Sequence, residues 1–501
     1  MSVRPDRAVR DLVLGVDSST TACKVLAYDA SGQVVAEGRA SMVLENPAIG
    51  AWEQDAEGWW RAFCEASRAC VALVDPARFR GLAVASQRET FVVTDRAGIP
   101  LAKALVWMDH RCGDEVSRAT CELGEARLHE LTGKPPSTTP SLYKWLGQRT
   151  RAPELAASVG KVLDVHAFLV WRLTGSPSTS LAAADPMALI DMRQRLWSDE
   201  LLTFAGLTQA QLPELVEVGT AVGTVSMKAA SESGLPEGLV VVAGAGDGQA
   251  AGLGVGITGP GTAYLNLGTA VVSGVLSSTY RYDRSCRTLF GAIPGTYFLE
   301  TVLQGGTFTI NWLCEKLLGR PLASLGELEL QACSLPAGSA GVTLVPYWNG
   351  VMNPYWDHGA SGIVVGLRGE HGPSHLYRAL LEGIAFEQRL HTSGVESLAG
   401  PVTEMVVTGG GSASDLWCQI LADVLGKPIV RAASSEATAL GAAMIAGTAT
   451  GLVPTFEDAA RTMSRRRERF LPGPNAITYK QLFELKYRRI YPALREILRG
   501  H

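Results

Sequence analysis

The sequence predicts an α/β protein built from two similar domains that face one another across a cleft, and three observations carry that expectation. At 501 residues the chain is too long for one compact core, since a domain takes about 100–200 residues. Each half opens on the same plan of apolar strand, tight turn of small and hydroxyl residues, and second apolar strand: LVLGVDSSTTACKVLAYD near the start, TAYLNLGTAVVSGVLSS in the middle. In both halves further strands then alternate with helices, which indicates mixed sheets with helices on their faces. The break falls in the glycine-rich stretch from Gly248 to Gly259 and divides the chain into residues 1–252 and 253–501. A cleft between two such domains is a common place for a ligand.

In the first half, Leu12 to Val16 and Ala22 to Ala27 read as the two strands of a hairpin and QVVAEGRASM as a third. Asp55 caps a helix over DAEGWWRAFCEASRACVALV, whose apolar residues recur at helical spacing. FRGLAVASQ and ETFVVTD are further strands, and short strands alternate with helices to about Gly206. LVVVAGAGDGQAAGLG runs from a strand into a helix. In the second half GTYFLETVL is a third strand, and TEMVVTGGGSASDLWCQILADVLGKPIV reads as strand, glycine-rich turn, helix and strand. RTMSRRRERF reads as a solvated helix face.

Composition excludes several classes. With 47% hydrophobic and 19% charged residues and a formal charge of −4, the chain is globular and lacks the basic field that attracts nucleic acid. MSVRPDRAVRDLVLG has no apolar signal core, and no apolar run reaches the ~18 residues of a membrane span, so a cytoplasmic protein with no membrane partner is expected. Nine cysteines without a CxxC pair read as buried free thiols.

The first turn raises a chemical question. A hairpin normally uses Asn-Gly or Asp-Gly, yet Asp17, Ser18, Ser19, Thr20 and Thr21 stand here. Hydroxyls and exposed N–H groups form a concavity of donors suited to phosphate oxygens, and a carboxylate beside phosphate implies a divalent cation between them; Mg²⁺ uses one or two protein carboxylates and several waters. The plain alternative is hydroxyls that satisfy turn backbone, and recurrence of such a turn at Gly268, Thr269 and Ala270 weighs against it. Asp247, at the end of an apolar strand, either caps the following helix or serves as a base that takes a proton from an attacking hydroxyl. Gly409, Gly410 and Gly411 form either a plain turn into a helix or a seat for a nucleotide. GVGITG matches a dinucleotide fingerprint by letter only, because it lies between a helix and a strand; no P-loop and no HExxH occur.

In sequence order, GVDSSTTACKVLAYDASG, WEQDAEGWW, LVWMDHR, FLVWRLTG, WSDELL, VAGAGDGQAAGLG, LNLGTA, HLYRALLEGIAFEQR, VVTGGGSASDLWCQILADVLGKPI and EATALGAAMIA resemble the motifs of the FGGY carbohydrate kinases over nearly the whole chain. The resemblance implies two duplicated ribonuclease H-like domains of the actin-like ATPase kind, the first binding sugar and the second nucleotide. It implies Asp247 as catalytic base and Asp17 as the carboxylate that organises Mg²⁺. Thr20, Thr21 and Lys24 would meet ATP phosphates, with Gly268 and Thr269 as the second phosphate loop and Gly410, Gly411 and Ser414 on the nucleotide side. Gln87, Arg88, Glu89, Trp107 and Gln249 would bind the acceptor.

The expected activity is ATP- and Mg²⁺-dependent phosphorylation of a primary hydroxyl of a small sugar, first a ketopentose such as xylulose, with glycerol or another polyol as alternative. An actin- or chaperone-like ATPase that phosphorylates no small molecule is the rival from another class. The assembly state is open, a homodimer included. The chain departs from the family pattern at Ser19, where glycine is usual, and at Gly248, where an amide is common and Gln249 is the candidate substitute. It also lacks a Glu-Arg pair in VPYWNGVMNPYWD.

Overall fold

The computed structural model describes residues 10–498. The first half is organised on a mixed sheet. β1 (Leu12–Ser18), buried along its whole length, pairs antiparallel with β2 (Ala22–Tyr28), with Val16 opposite Val25 and Asp17 opposite Lys24; β2 pairs antiparallel with β3 (Val34–Ser41). The chain then forms α1 (Ala56–Val71), whose first turn is closed by the Asp55 carboxylate accepting from the Glu57 N–H, as the sequence predicts. β4 (Phe79–Ser86) returns parallel to β1, α2 (Ser141–Arg151) follows, and β5 (Ala221–Thr224) and β6 (Val240–Gly246) complete a sheet of order β5-β6-β4-β1-β2-β3 before α3 (Asp247–Gly254).

The second half repeats this plan. β7 (Thr262–Leu267) and β8 (Val271–Ser277) form the second hairpin; β9 (Arg287–Phe290), β10 (Tyr297–Leu303), β11 (Glu404–Thr408), β12 (Ile429–Ala432) and β13 (Arg466–Phe470) give the order β9-β10-β8-β7-β11-β12-β13. β7, β8, β10, β11, β12 and β13 match β1, β2, β3, β4, β6 and β5 in position and in parallel or antiparallel sense. β9 has no counterpart in the first sheet. Helices α4 (Asp415–Leu425) and α5 (Ala437–Ala449) flank β12.

β13 corrects the expectation of a helix face in RTMSRRRERF. The helix ends at Met463 and RRERF is an edge strand, almost wholly exposed, with Phe470 paired to Ile429. Charged side chains on an edge strand block sheet-to-sheet association, so the composition that suggested a solvated helix serves a solvated edge equally well.

The two halves interlock through their helices. α3 follows β6 of the first sheet but packs with residues of the second, Ala251, Val255 and Ile257 clustering with Tyr264, Leu276 and Val406. Reciprocally, α5 follows β12 and shares a cluster with Val13, Ala83, Ala85 and Val242 of the first sheet. The crossing is close enough to require glycine: a Cβ at Gly441 would lie 1.8 Å from the Ala250 carbonyl oxygen, and one at Gly15 1.9 Å from that of Ala439. Seven cysteines are buried free thiols as expected, whereas Cys121 and Cys333 are exposed. No helix among the described residues is long and apolar enough to cross a membrane.

Candidate active site

β1, β4 and β6 lie side by side and parallel, with Asp17 and Ala245 both level with Ala85. Their carboxyl ends therefore open on one edge of the sheet, where ligands of open α/β sheets commonly bind. This edge receives Asp17 from β1, Gln87, Arg88 and Glu89 from beyond β4, and Asp247 from beyond β6. With one strand between β1 and β6, their backbones are about 10 Å apart there.

Asp17 is 8% exposed, and its Oδ1 is buried without a hydrogen-bond partner. Burial pushes its carboxyl up to about 7; Lys24 opposes that shift, and the Asp247 and Glu436 charges add to it. Lys24 donates to Glu436 at 2.8 Å, as does Arg39, so the hairpin is tied to the residue preceding α5. In the turn itself the Ser19 N–H and hydroxyl both donate to the Ala22 carbonyl at 3.0 and 2.8 Å. Ser19 is not among the residues with positive φ, so the turn makes no demand for glycine there. Thr20 Oγ1 accepts from the Trp107 indole at 3.0 Å, and Thr21 is exposed.

On the opposite side Asp247 starts α3, its Oδ1 accepting from the Gly248 N–H at 2.7 Å. Its side chain is 38% exposed, and it pairs with Arg88 Nε at 2.9 Å. Burial raises its pKa, and Arg88 opposes part of that rise. Arg88 Nη1 also donates to Glu300 at 2.8 Å, and Glu300 in turn accepts from Arg287, which reaches Glu89 at 2.8 Å. A chain of alternating charges thus runs from Asp247 to Glu89 through both domains. It explains the departure at residue 248: a Cβ there would lie 3.0 Å from Glu300 Oε2 and 3.1 Å from Arg88 Nη2, so the ion pair fills the space beside Gly248.

Glu89 holds a left-handed backbone with φ 58°, an arrangement that persists in non-glycine residues only where the surroundings enforce it. Two groups on α2 do so. Ser141 Oγ donates to the Glu89 carbonyl at 2.9 Å and the fully buried Lys144 ammonium at 2.7 Å; Lys144 spends its other donors on the carbonyls of Val106 and Thr139. Gln87 and Gln249 face inward. Gln87 is 3% exposed and bonds Gln54 and Thr90, while Gln249 is 1% exposed and donates to the Ala182 carbonyl, so neither amide is directed at the cleft. Trp107 is 36% exposed beside Thr20.

The second sheet presents the equivalent edge with other chemistry. Gly268 and Thr269 form the turn between β7 and β8, and their carbonyls accept from the N–H groups of Thr307 and Gly306. After β11, Gly409 takes φ 84° against Asn266, while nothing lies within 4 Å of where a Cβ would stand at Gly410. A Cβ at Gly411 would press on Trp417 at 2.4 Å. Ser414 is the cap of α4, accepting from the Trp417 N–H at 3.0 Å and donating to Glu329 at 2.6 Å.

Asp17, Thr20, Trp107, Arg88, Glu89 and Asp247 are therefore brought together, with Gln87 and Gln249 behind them. Arg287, Glu300, Lys144 and Glu436 escape the sequence reading. The signal available was a charge inside an apolar run, as in YFLETVL and SLYKWLG.

The model of the FGGY family of carbohydrate kinases, N-terminal domain, matches residues 12–254, and that of the family's C-terminal domain matches residues 263–450. The chain is 33% identical over 476 residues to a glycerol kinase of Geobacter sp. (strain M21), covering 91% of this chain and 94% of that one. It is 28% identical over 496 residues to a xylulose kinase of Bacillus subtilis, covering 97% of each. Among solved structures, xylulose kinase from Rhodospirillum rubrum matches with a TM-score of 0.92 at 26% identity, over 97% of this chain and 99% of that one. Plasmodium falciparum glycerol kinase with ADP shares the fold with a TM-score of 0.87 at 22% identity, over 97% and 99%. Two interlocked actin-like domains, matched along nearly their whole length, establish that this chain belongs to the FGGY family of carbohydrate kinases.

Proposed function

We propose that the protein transfers the γ-phosphoryl group of ATP to a primary hydroxyl of a small open-chain sugar or polyol. The observation that carries this reading is Asp247, a carboxylate open to the cleft at a strand end, with its pKa raised and a fixed guanidinium partner. A hydroxyl placed against it would give up its proton to Asp247 as the oxygen moves toward phosphorus, with alignment and charge neutralisation supplying most of the rate. Arg88 keeps that carboxylate in one orientation. Arg88 and Glu89 would hold neighbouring acceptor hydroxyls, and Trp107 would cover the carbon–hydrogen face.

The residues around Asp17 fit a magnesium ion carried by the nucleotide. Its orphaned buried oxygen lacks a partner, and among the described residues no group of three or more metal-binding side chains stands nearby as a protein cage. One carboxylate acting through waters is what Mg²⁺ takes when phosphates supply the other ligands. When bound, the ion would neutralise phosphate charge. Thr20, Thr21 and the Gly268–Thr269 turn would contact phosphate oxygens, Lys24 would trade Glu436 for a phosphate, and Gly410 and Gly411 would leave room for the nucleoside, with Ser414 fixing the helix behind them.

A ketopentose such as xylulose is the first acceptor to test, and glycerol is the second reading, favoured by the run Gln87-Arg88-Glu89. The test is ADP release over a panel of ketoses and polyols. Strong stimulation by one compound is expected; ADP release indifferent to every acceptor would leave an actin- or chaperone-like ATPase. Asp247→Asn should retain binding of both substrates and lose most turnover, and wild-type turnover in that variant would refute the assigned base.

A further inference from the structure

We infer that Arg287 and Glu300, both from the second domain, are specificity-determining residues that position Arg88 and Glu89, so the acceptor pocket is a two-domain structure rather than a property of the first half. The inference rests on the kinase reading and deepens it. Glu300 lies in the middle of β10, fully buried, and accepts from a different arginine on each oxygen: Arg287 Nε on Oε1 at 2.7 Å, Arg88 Nη1 on Oε2 at 2.8 Å. Arg287 then donates to Glu89 Oε1 at 2.8 Å. The guanidinium fork makes each contact directional, so the orientation of Arg88 and Glu89 is set by groups more than 190 positions away in the chain.

Arg287 is itself fixed from the first domain. It begins β9, the strand without a counterpart in the duplicated plan, and β9 is fastened along its length: the Thr288 N–H donates to the Gly133 carbonyl at 2.7 Å, and Lys134 Nζ to the Thr288 carbonyl at 3.2 Å. The Phe290 N–H donates to the buried Asp185 carboxylate. An edge strand held in this way is a rigid mount rather than a mobile flap. A pocket whose donors and acceptors are fixed this firmly discriminates by what it leaves unpaired, rejecting an acceptor that lacks a matching hydroxyl.

The variants are Arg287→Lys, which keeps the charge and loses the fork, and Glu300→Gln, with a melting-temperature rise on adding Mg²⁺ and ADP as the check that each is folded. ADP release is measured with the best acceptor and with an analogue lacking one hydroxyl, for instance glycerol against 1,3-propanediol. The expected result is an acceptor KM raised about 10–100-fold and a preference for the full acceptor reduced by a similar factor, while KM for ATP moves less than about twofold. Folded Arg287→Lys with wild-type acceptor KM and preference overturns the inference, even if Glu300→Gln fails to fold. A parallel loss of acceptor and nucleotide affinity also overturns it, because that is the signature of a structural role alone. Wild-type protein that no acceptor stimulates refutes the kinase reading itself, and the inference with it.

Discussion

Lys144→Met tests how the proposed acceptor site is held from behind. The ammonium is fully buried and makes three contacts to carbonyl oxygens, of Glu89 and Thr139 at 2.7 Å and of Val106 at 3.2 Å. Hydrogen bonds from a charged donor contribute about 1.5–3 kcal/mol each, so the substitution removes about 4–9 kcal/mol of favourable contact. Those figures are already net of the ammonium's desolvation, and contacts that share one ammonium fall toward the low end of the sum. Methionine fills the same channel, so no cavity adds to the sum, and a destabilisation of about 4 kcal/mol is expected. At a urea dependence of about 3 kcal/mol per molar, the denaturation midpoint falls by about 1 M. The kinetic effect is more specific. Glu89 sits at φ 58°, a strain of about 1–3 kcal/mol, and with only Ser141 left on its carbonyl it relaxes. Its carboxylate then leaves the place that Arg287 now gives it, and a displacement of about 1 Å in such a site can cost about 100-fold in rate. Steady-state ADP release should show kcat/KM for the acceptor down about 10–100-fold. A variant that melts lower but keeps wild-type acceptor kinetics would show that Lys144 has no part in positioning Glu89.

Three further outcomes follow from the same geometry. Burial raises the Asp247 pKa against the pull of Arg88, and a base acts only when ionised, so kcat/KM for the acceptor should fall with decreasing pH through a value above the ordinary aspartate pKa of about 4; a profile flat down to that pH would remove Asp247 from the role. Burial pushes Glu387 up to about 7 although the Tyr487 and Tyr347 hydroxyls donate to it, so it stabilises the fold as the neutral acid and that contribution is lost as pH rises from about 4 to 7. Glu387→Gln should therefore gain about 1–3 kcal/mol over wild type at pH 8 and little at pH 4, as read by chemical denaturation at the two pH values. Gly441→Ala would bring a Cβ to 1.8 Å from the Ala250 carbonyl and should lower stability by at least about 1–3 kcal/mol by forcing α3 and α5 apart; a melting temperature equal to wild type would show that the crossing yields without cost.

What could be read from the sequence was local. The hairpin strands, the Asp55 cap, the repeated opening and the placement of Asp17 and Asp247 at strand ends follow from periodicity and turn chemistry within a few residues. What could not be read depends on partners far along the chain. Glu300 in YFLETVL looks like an interruption of a core strand until Arg88 and Arg287 are seen on its two oxygens. Lys144 sits between Tyr143 and Trp145 on a helix whose first seven residues are buried, and nothing local indicates that three carbonyls converge on it. Gln87 and Gln249 are expected in the pocket by resemblance, but Gln87 stands next to Arg88 just past a strand, where successive side chains alternate, and Gln249 lies two positions on from Asp247 in α3, about 200° round the helix, so both amides turn into the wall. The RRERF segment shows the limit of composition, which registers exposure without telling helix from strand.

The proposed function gives the acceptor to one edge and the nucleotide to the other, and the duplication sharpens the question of why. Equivalent strands end in equivalent places: Asp17, one pair in from the end of its hairpin, corresponds to Asn266, the Ser19–Thr20 turn to Gly268–Thr269, the Gln87–Glu89 turn to Gly409–Gly411, and Asp247 at the start of α3 to Glu436 just before α5. The first domain carries a carboxylate at each of the three places, Asp17, Glu89 and Asp247, whereas the second carries the neutral Asn266 amide, a run of glycines, and a glutamate neutralised by Lys24 and Arg39. A carboxylate facing a triphosphate repels it unless a cation intervenes, so on the proposed reading the second edge accepts the bulk of the nucleotide, Asp17 meets its phosphates only through the cation, and Arg88, Glu89 and Asp247 are left for hydroxyls. Exchange of α3 and α5 fixes the two edges toward one gap, and β9, present in only one copy, carries Arg287 across it. Symmetric folding therefore supplies two facing sheet edges, and on the proposed reading the differences at three turns, with the added strand β9, assign the acceptor to one edge and the nucleotide to the other.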